Sequence, residues 1–258
     1  MHNIYFPTEL HRRAIEAITK FFQQQKETDT VLVTNSIARG KATPESDIDM
    51  TILVSEQTTV AAISAMETNW LAFMNSDPVL LQFTESSRFS HIHLDIIDGI
   101  FIPTIWETGA ITDYYEVEIG NRIVYSAPMG EAGAYFNQLK TQYLPYYADG
   151  LRLQRLQMVK DAISYDLDRI PMLLERGLHF HAFDTLYRAF QEFLQALFIK
   201  NKVYPIAYNK WIKEQVAGVL NMPDLYTVLP QILSVSDIES NELNDKALQL
   251  KKLTEVYC

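Results

Sequence analysis

The stretch "NSIARGKATPESDIDMTILV", Asn35 to Val54, places two carboxylates one residue apart at the start of an apolar run. Ile48, Met50, Ile52 and Val54 alternate with Asp47, Asp49, Thr51 and Leu53, which predicts a strand over residues 47–54. Residues i and i+2 of a strand point to one face, about 7 Å apart at Cα. Asp47 and Asp49 therefore aim the same way. Two carboxylates this close repel unless a cation sits with them. A hard divalent ion such as Mg²⁺ is the usual partner, held by carboxylate oxygens together with phosphates and waters. Asp95, in "HLDII", offers a third carboxylate from a neighbouring strand, where Leu94 and Ile96 are poor company for an unpaired charge.

Upstream, "TVLVTNS" (30–36) reads as a short buried strand that runs into a small polar pair, Asn35-Ser36. A short helix starting at Ile37 would be capped by Ser36 and would turn backbone N–H groups toward an anion such as a triphosphate. Gly40 gives the loop freedom to return to the second strand.

These residues resemble the nucleotidyltransferase superfamily pattern, which also covers DNA polymerase beta-like and antibiotic-modifying members. That pattern is Gly-Ser, about ten residues, then Asp-apolar-Asp, with a third Asp on a later strand. The resemblance covers roughly residues 30–98. It implies a metal-dependent transfer of a nucleoside monophosphate from an NTP to an acceptor hydroxyl, with release of pyrophosphate. It implies Ser36 on the phosphates, and Asp47, Asp49 and Asp95 as catalytic ligands of two Mg²⁺ ions. Asn35 stands where the pattern has Gly and puts a side chain beside the phosphate turn. Asn tolerates left-handed backbone angles better than most residues, so the turn itself is expected to survive. Arg39 is a further candidate for phosphate contact.

The rest of the chain fits this frame. Residues 7–26 and 57–74 read as helices. Residues 79–86 and 91–99 read as two further strands, paired or neighbouring, and residues 118–126 as another strand or hairpin. After about residue 130 the pattern turns helical. Residues 150–177 carry Pro171 as an expected kink and Gly177 as an expected stop. Residues 181–201 are strongly amphipathic. The expected fold is α+β: a small mixed sheet flanked by helices (1–128), then a C-terminal helical bundle for substrate (129–258). Within 181–201, Asp184, Arg188, Gln191, Glu192 and Gln195 form a polar stripe. Turned toward substrate, Glu192 is the candidate general base and Arg188 a candidate triphosphate ligand. The segment 186–212 also resembles the helical domain of antibiotic-type adenylyltransferases, which adds Lys210 as a nucleotide contact. His91 and His93 precede Asp95 in alternation and read as hairpin surface more readily than as metal ligands.

Composition bounds the partners. The 258 residues carry a net charge of −10, against the basic footprint of a nucleic-acid enzyme. A single cysteine, Cys258, excludes an intrachain disulfide. No apolar run approaches the ~18 residues of a membrane span. The expectation is a cytoplasmic enzyme using ATP and a small-molecule acceptor, with aminoglycoside-like compounds the precedent that the resemblance supplies. The rival is a non-catalytic binding or antitoxin-like protein with an impaired phosphate turn.

Overall fold

The computed structural model describes residues 4–106 and 112–258. The chain divides into two compact units: residues 1–101 with 118–144, and residues 102–117 with 145–258. It therefore crosses between units three times, where the sequence suggested a single boundary at 128/129. Tyr115, Glu116 and Val117 are buried residues assigned to the helical unit, and helix α6 (Ala134–Tyr143) packs on β1 of the first.

The first unit is built on a four-stranded mixed sheet in the order β3-β2-β1-β4. Its strands are β1 (Thr28–Val33), β2 (Ile48–Val54), β3 (Ile92–Ile97) and the two-residue β4 (Ala127–Pro128). β1 pairs antiparallel with β2 and β4, and β2 pairs parallel with β3. A parallel partner needs a long crossover. Helices α3 (Val60–Met74) and α4 (Pro78–Glu85) supply it. Residues 79–86 are thus helix, not the expected strand. Asp77 accepts the N–H of Val79 at 2.9 Å and of Leu80 at 3.1 Å, and Pro78 opens the first turn.

Strand alternation separates the two sheet faces. Ile48, Met50 and Ile52 of β2, with Ile92, Leu94 and Ile96 of β3, pack into a core with Ile15, Ile18 and Phe22 of α1 (Glu9–Gln23), Met66 and Trp70 of α3, and Leu80 and Phe83 of α4. The opposite face carries the polar residues. At one end of that face α6 is fixed by Asp29, whose carboxylate accepts the N–H groups of Tyr135 and Phe136, each at 3.0 Å. Residues 118–126 are not a strand. Helix α5 (Tyr115–Ile119) runs into a π-helical turn, Gly120–Val124.

The second unit is helical. Helices α7 (Asp149–Glu175) and α8 (His179–Asn201) form its main pair, joined by α9 (Pro223–Ile232) and α10 (Glu242–Tyr257). Pro171 lies within α7, which continues to Glu175. Gly177 ends the pair's connection as expected, with φ of +68° and its N–H bonded to Leu174 O at 2.9 Å. Among the described residues, no helix is long and apolar enough to cross a membrane.

Candidate functional site

The candidate site lies on the polar face of the first unit's sheet. The register pairs Asp49 with His93 and Thr51 with Asp95. In-register neighbours of a parallel pair share a face, so Asp49, His93 and Asp95 lie on one side, opposite the Leu94 and Ile96 side chains. The apolar company of Asp95 is thus on the other face, and its own side chain is 64% exposed.

Asp47 stands one residue before β2. Its Oδ1 accepts the His91 N–H at 3.3 Å, and its Oδ2 lies 3.5 Å from His93 Nε2. Asp95 accepts from Arg122 Nη2 at 3.2 Å, and Arg122 Nε also contacts Glu118 at 2.5 Å. Asp49 is half-buried between them. Among the described residues, no group of three or more His, Cys, Asp or Glu side chains converges on a single ion position. The three carboxylates share a face, and Asp47 and Asp95 are turned to basic side chains.

The upstream turn differs from expectation in one respect. Helix α2 runs Asn35–Ala38, with Thr34 at its N-cap and no side-chain cap bond, so Ser36 is inside the turn and does not cap it. Asn35 has φ of +51°. The backbone there occupies the left-handed region that glycine enters at least cost, and Asn is among the residues that follow it. Arg39 Nε donates to Asn35 O at 3.3 Å, and Gly40, with φ of +68°, turns the chain back toward β2.

In the helical unit the expected polar stripe is broken. Glu192 and Gln195 are fully buried, whereas Asp184 is exposed. Among the described residues, neither Glu192 oxygen has a hydrogen-bond partner. Burial, aided by the Asp166 charge and opposed by Arg188, pushes its pKa up to about 9. A carboxyl of that kind is protonated at neutral pH and is unsuited to taking a proton there. Arg188 grips the Asp166 carboxylate through Nε and Nη2, the latter at 2.7 Å; this bonding, against some desolvation, raises its pKa. Lys210 is exposed, and its carbonyl accepts from Gln215 at 2.9 Å. Tyr204 and Tyr208 are core residues.

Two features escaped the sequence reading. Arg122 lay in a segment expected to be a strand, although the Glu118–Arg122 spacing is that of a helical ion pair. His93 reads from the sequence as hairpin surface, yet it lies on a strand parallel to β2 and faces Asp47.

Residues 16–102 match the family model described as "Polymerase beta, Nucleotidyltransferase". That span runs from within α1 to just past β3 and contains Ser36, Asp47, Asp49 and Asp95. Among curated proteins, none matches the chain.

Proposed function

We propose, on the premise that the chain belongs through residues 16–102 to the nucleotidyltransferase superfamily, that it transfers AMP from ATP to a hydroxyl of a small-molecule acceptor. The observation that carries this reading is the common face of Asp49 and Asp95, with Asp47 at its edge, fixed by the β2–β3 register.

The donor set is all carboxylate oxygen, which suits a hard divalent ion such as Mg²⁺. Asp47, Asp49 and Asp95 would hold it, and the Arg122 guanidinium now on Asp95 marks where positive charge is favoured. Bound divalent ions supply charge neutralisation at the attacking and leaving oxygens of an in-line displacement. Ser36 offers a hydroxyl to the phosphates, and the left-handed Asn35 sets the turn from which it does so. Arg39 adds positive charge beside that turn. The acceptor oxygen forms a bond to the α-phosphorus, the bond to the bridging oxygen of pyrophosphate breaks, and the acceptor proton leaves to solvent. Catalysis is then mainly positioning and electrostatics. Glu192 is given no part, because it is buried and protonated. The net charge of −10 supports a small-molecule acceptor over nucleic acid, and aminoglycoside-like polyols are the first class to try.

The test is incubation of labelled NTPs with an acceptor panel, following pyrophosphate release, with Asp49→Asn and Asp95→Asn as controls. Loss of release by about 10²-fold or more in both variants, with unchanged melting, is expected. A second reading, nucleotide binding without transfer, is favoured by the pairing of Asp47 and Asp95 with basic side chains. A thermal shift with Mg²⁺ and ATP but no pyrophosphate with any acceptor would select it. Absence of both would remove the nucleotide from the reading altogether.

A further inference from the structure

His11 is buried in the first unit, 2% exposed, and both of its ring nitrogens are engaged, Nε2 across 35 residues of sequence. Nε2 lies 2.9 Å from the carbonyl oxygen of Ser46. A carbonyl only accepts, so Nε2 carries the hydrogen. Nδ1 lies 2.7 Å from the Thr8 hydroxyl, which also accepts the His11 backbone N–H at 3.2 Å as the N-cap of α1. Thr8 therefore donates to Nδ1 and locks the tautomer that Ser46 needs. The ring packs in a T-shaped arrangement with Phe83 on α4, with centroids 4.9 Å apart.

The atom gripped by this ring belongs to the peptide that joins Ser46 to Asp47. Residues 43–46 form a tight turn, with Ser46 N–H on Thr43 O at 2.9 Å and Thr43 N–H on Ser46 Oγ at 2.9 Å. The turn has no strand partner of its own, and Asp47 lies outside β2. The ring ties it to α1, whereas the next residue, Ile48, is held by the backbone of His91 at 2.9 Å. The backbone of Asp47 is thus held from each side, while its carboxylate accepts the His91 N–H and faces His93.

We propose that His11 is a positioning residue for Asp47: through Ser46 it sets where the carboxylate stands relative to Asp49 on the polar face. The proposal rests on the reading of Asp47 as a metal carboxylate. Groups that orient a ligand from behind are commonly needed for metal affinity without touching the metal.

The test uses His11→Phe, which keeps the ring against Phe83 but deletes both nitrogens, and His11→Gln, which keeps one donor and one acceptor. A cavity of about 350 Å³ bordered by Thr8, Pro44, Glu45 and Phe83 gives the larger ring room. In metal-free protein, hydrogen exchange over residues 43–49 should quicken by about fivefold in His11→Phe, the loss of one such bond. Exchange in α3 should not change, and His11→Gln should restore the slower rate. Mn²⁺ titration followed by electron paramagnetic resonance should show binding weakened about tenfold in His11→Phe and near normal in His11→Gln. If His11→Phe does not fold, Thr8→Val, which removes the hydroxyl that locks the tautomer, takes its place. Unchanged exchange over 43–49 in a folded variant overturns the clamp. Faster exchange with undiminished Mn²⁺ binding, while Asp47→Ala abolishes that binding, overturns the positioning role. If Asp47→Ala also leaves Mn²⁺ binding intact, the metal reading of Asp47 is what fails, and the proposal falls with it.

Discussion

Arg122 donates to the Asp95 carboxylate at 3.2 Å through Nη2 while Glu118 holds its Nε, so the third carboxylate of the candidate site already has a cation on it. A divalent ion at Asp95 must compete with that guanidinium. Ion pairs this exposed are worth about 0.2–1 kcal/mol. Arg122→Ala should therefore raise Mn²⁺ affinity in the absence of nucleotide by about two- to fivefold, read by equilibrium titration. A fall in affinity would show that Arg122 supports the site and does not compete for it.

Asn35 has a φ of +51°. Asn35→Gly removes the side chain that stands beside the phosphate turn and keeps the backbone choice open. Its stability should change by only tenths of a kcal/mol. Asn35→Ala forces a Cβ into the left-handed region without an amide to offset it, at a cost of about 1 kcal/mol. Urea unfolding of the pair reads the difference, and equal midpoints would show that the turn relaxes.

Asp29 accepts two backbone N–H groups at the start of α6, and Gly133 lies against it so closely that an added Cβ would stand 2.4 Å from the carboxylate. Asp29→Ala should cost about 1–2 kcal/mol by loss of the cap. Gly133→Ala should destabilise by a comparable amount, since the same carboxylate must move to admit the methyl group. In the double variant the two losses should fall short of additive, because the methyl then has nothing to displace. Chemical denaturation of the three proteins measures this.

Much of this unit was legible in the sequence. The alternation through 48–54 is enough to read the strand and its two faces, because period-2 patterning survives whatever packs on either side. Asn35 and Gly40 both take the positive φ that their types suggested. Residues 79–86 were misread because a short apolar run does not by itself separate strand from helix. Asp77-Pro78 was the missing cue, a cap followed by a helix-opening proline. Glu192 and Gln195 could not be placed from the chain alone. Polar residues at helical spacing look like a solvated face until the other helices that cover them are known.

Arg155 shows what covers such residues. It is fully buried, and its five N–H donors reach Glu116, Asp113 and Thr104 O at 2.6–3.1 Å. Gln195 donates to the same two carboxylates, and the Tyr147 hydroxyl to Glu116. Burial alone would lower the Arg155 pKa, but the bonds to Glu116 and Asp113 outweigh it and hold the side chain charged. Arg155→Met should cost about 3–5 kcal/mol, because it strands the buried Glu116 carboxylate and the part-buried Asp113 beside it. Adding Asp113→Asn and Glu116→Gln should recover part of that loss. Thermal and urea unfolding of the single and triple variants test it. No recovery would place the cost in lost packing and not in stranded charge.

Glu192 gives the helical unit a stability that falls as pH rises. Its folded pKa is raised from about 4.5 to about 9, chiefly by burial. Below pH 4.5 both folded and unfolded forms are protonated and there is no penalty. Between 4.5 and 9 the unfolded chain releases the proton and the folded chain keeps it, so each pH unit costs the fold about 1.4 kcal/mol at most. Glu192→Gln removes that ionisation from the unfolded state. The variant should match the parent near pH 4.5 and exceed it by a few kcal/mol at pH 8, as measured by urea unfolding across that range. A gap that stays constant with pH would mean that Glu192 ionises alike in both states, and that burial does not raise its pKa.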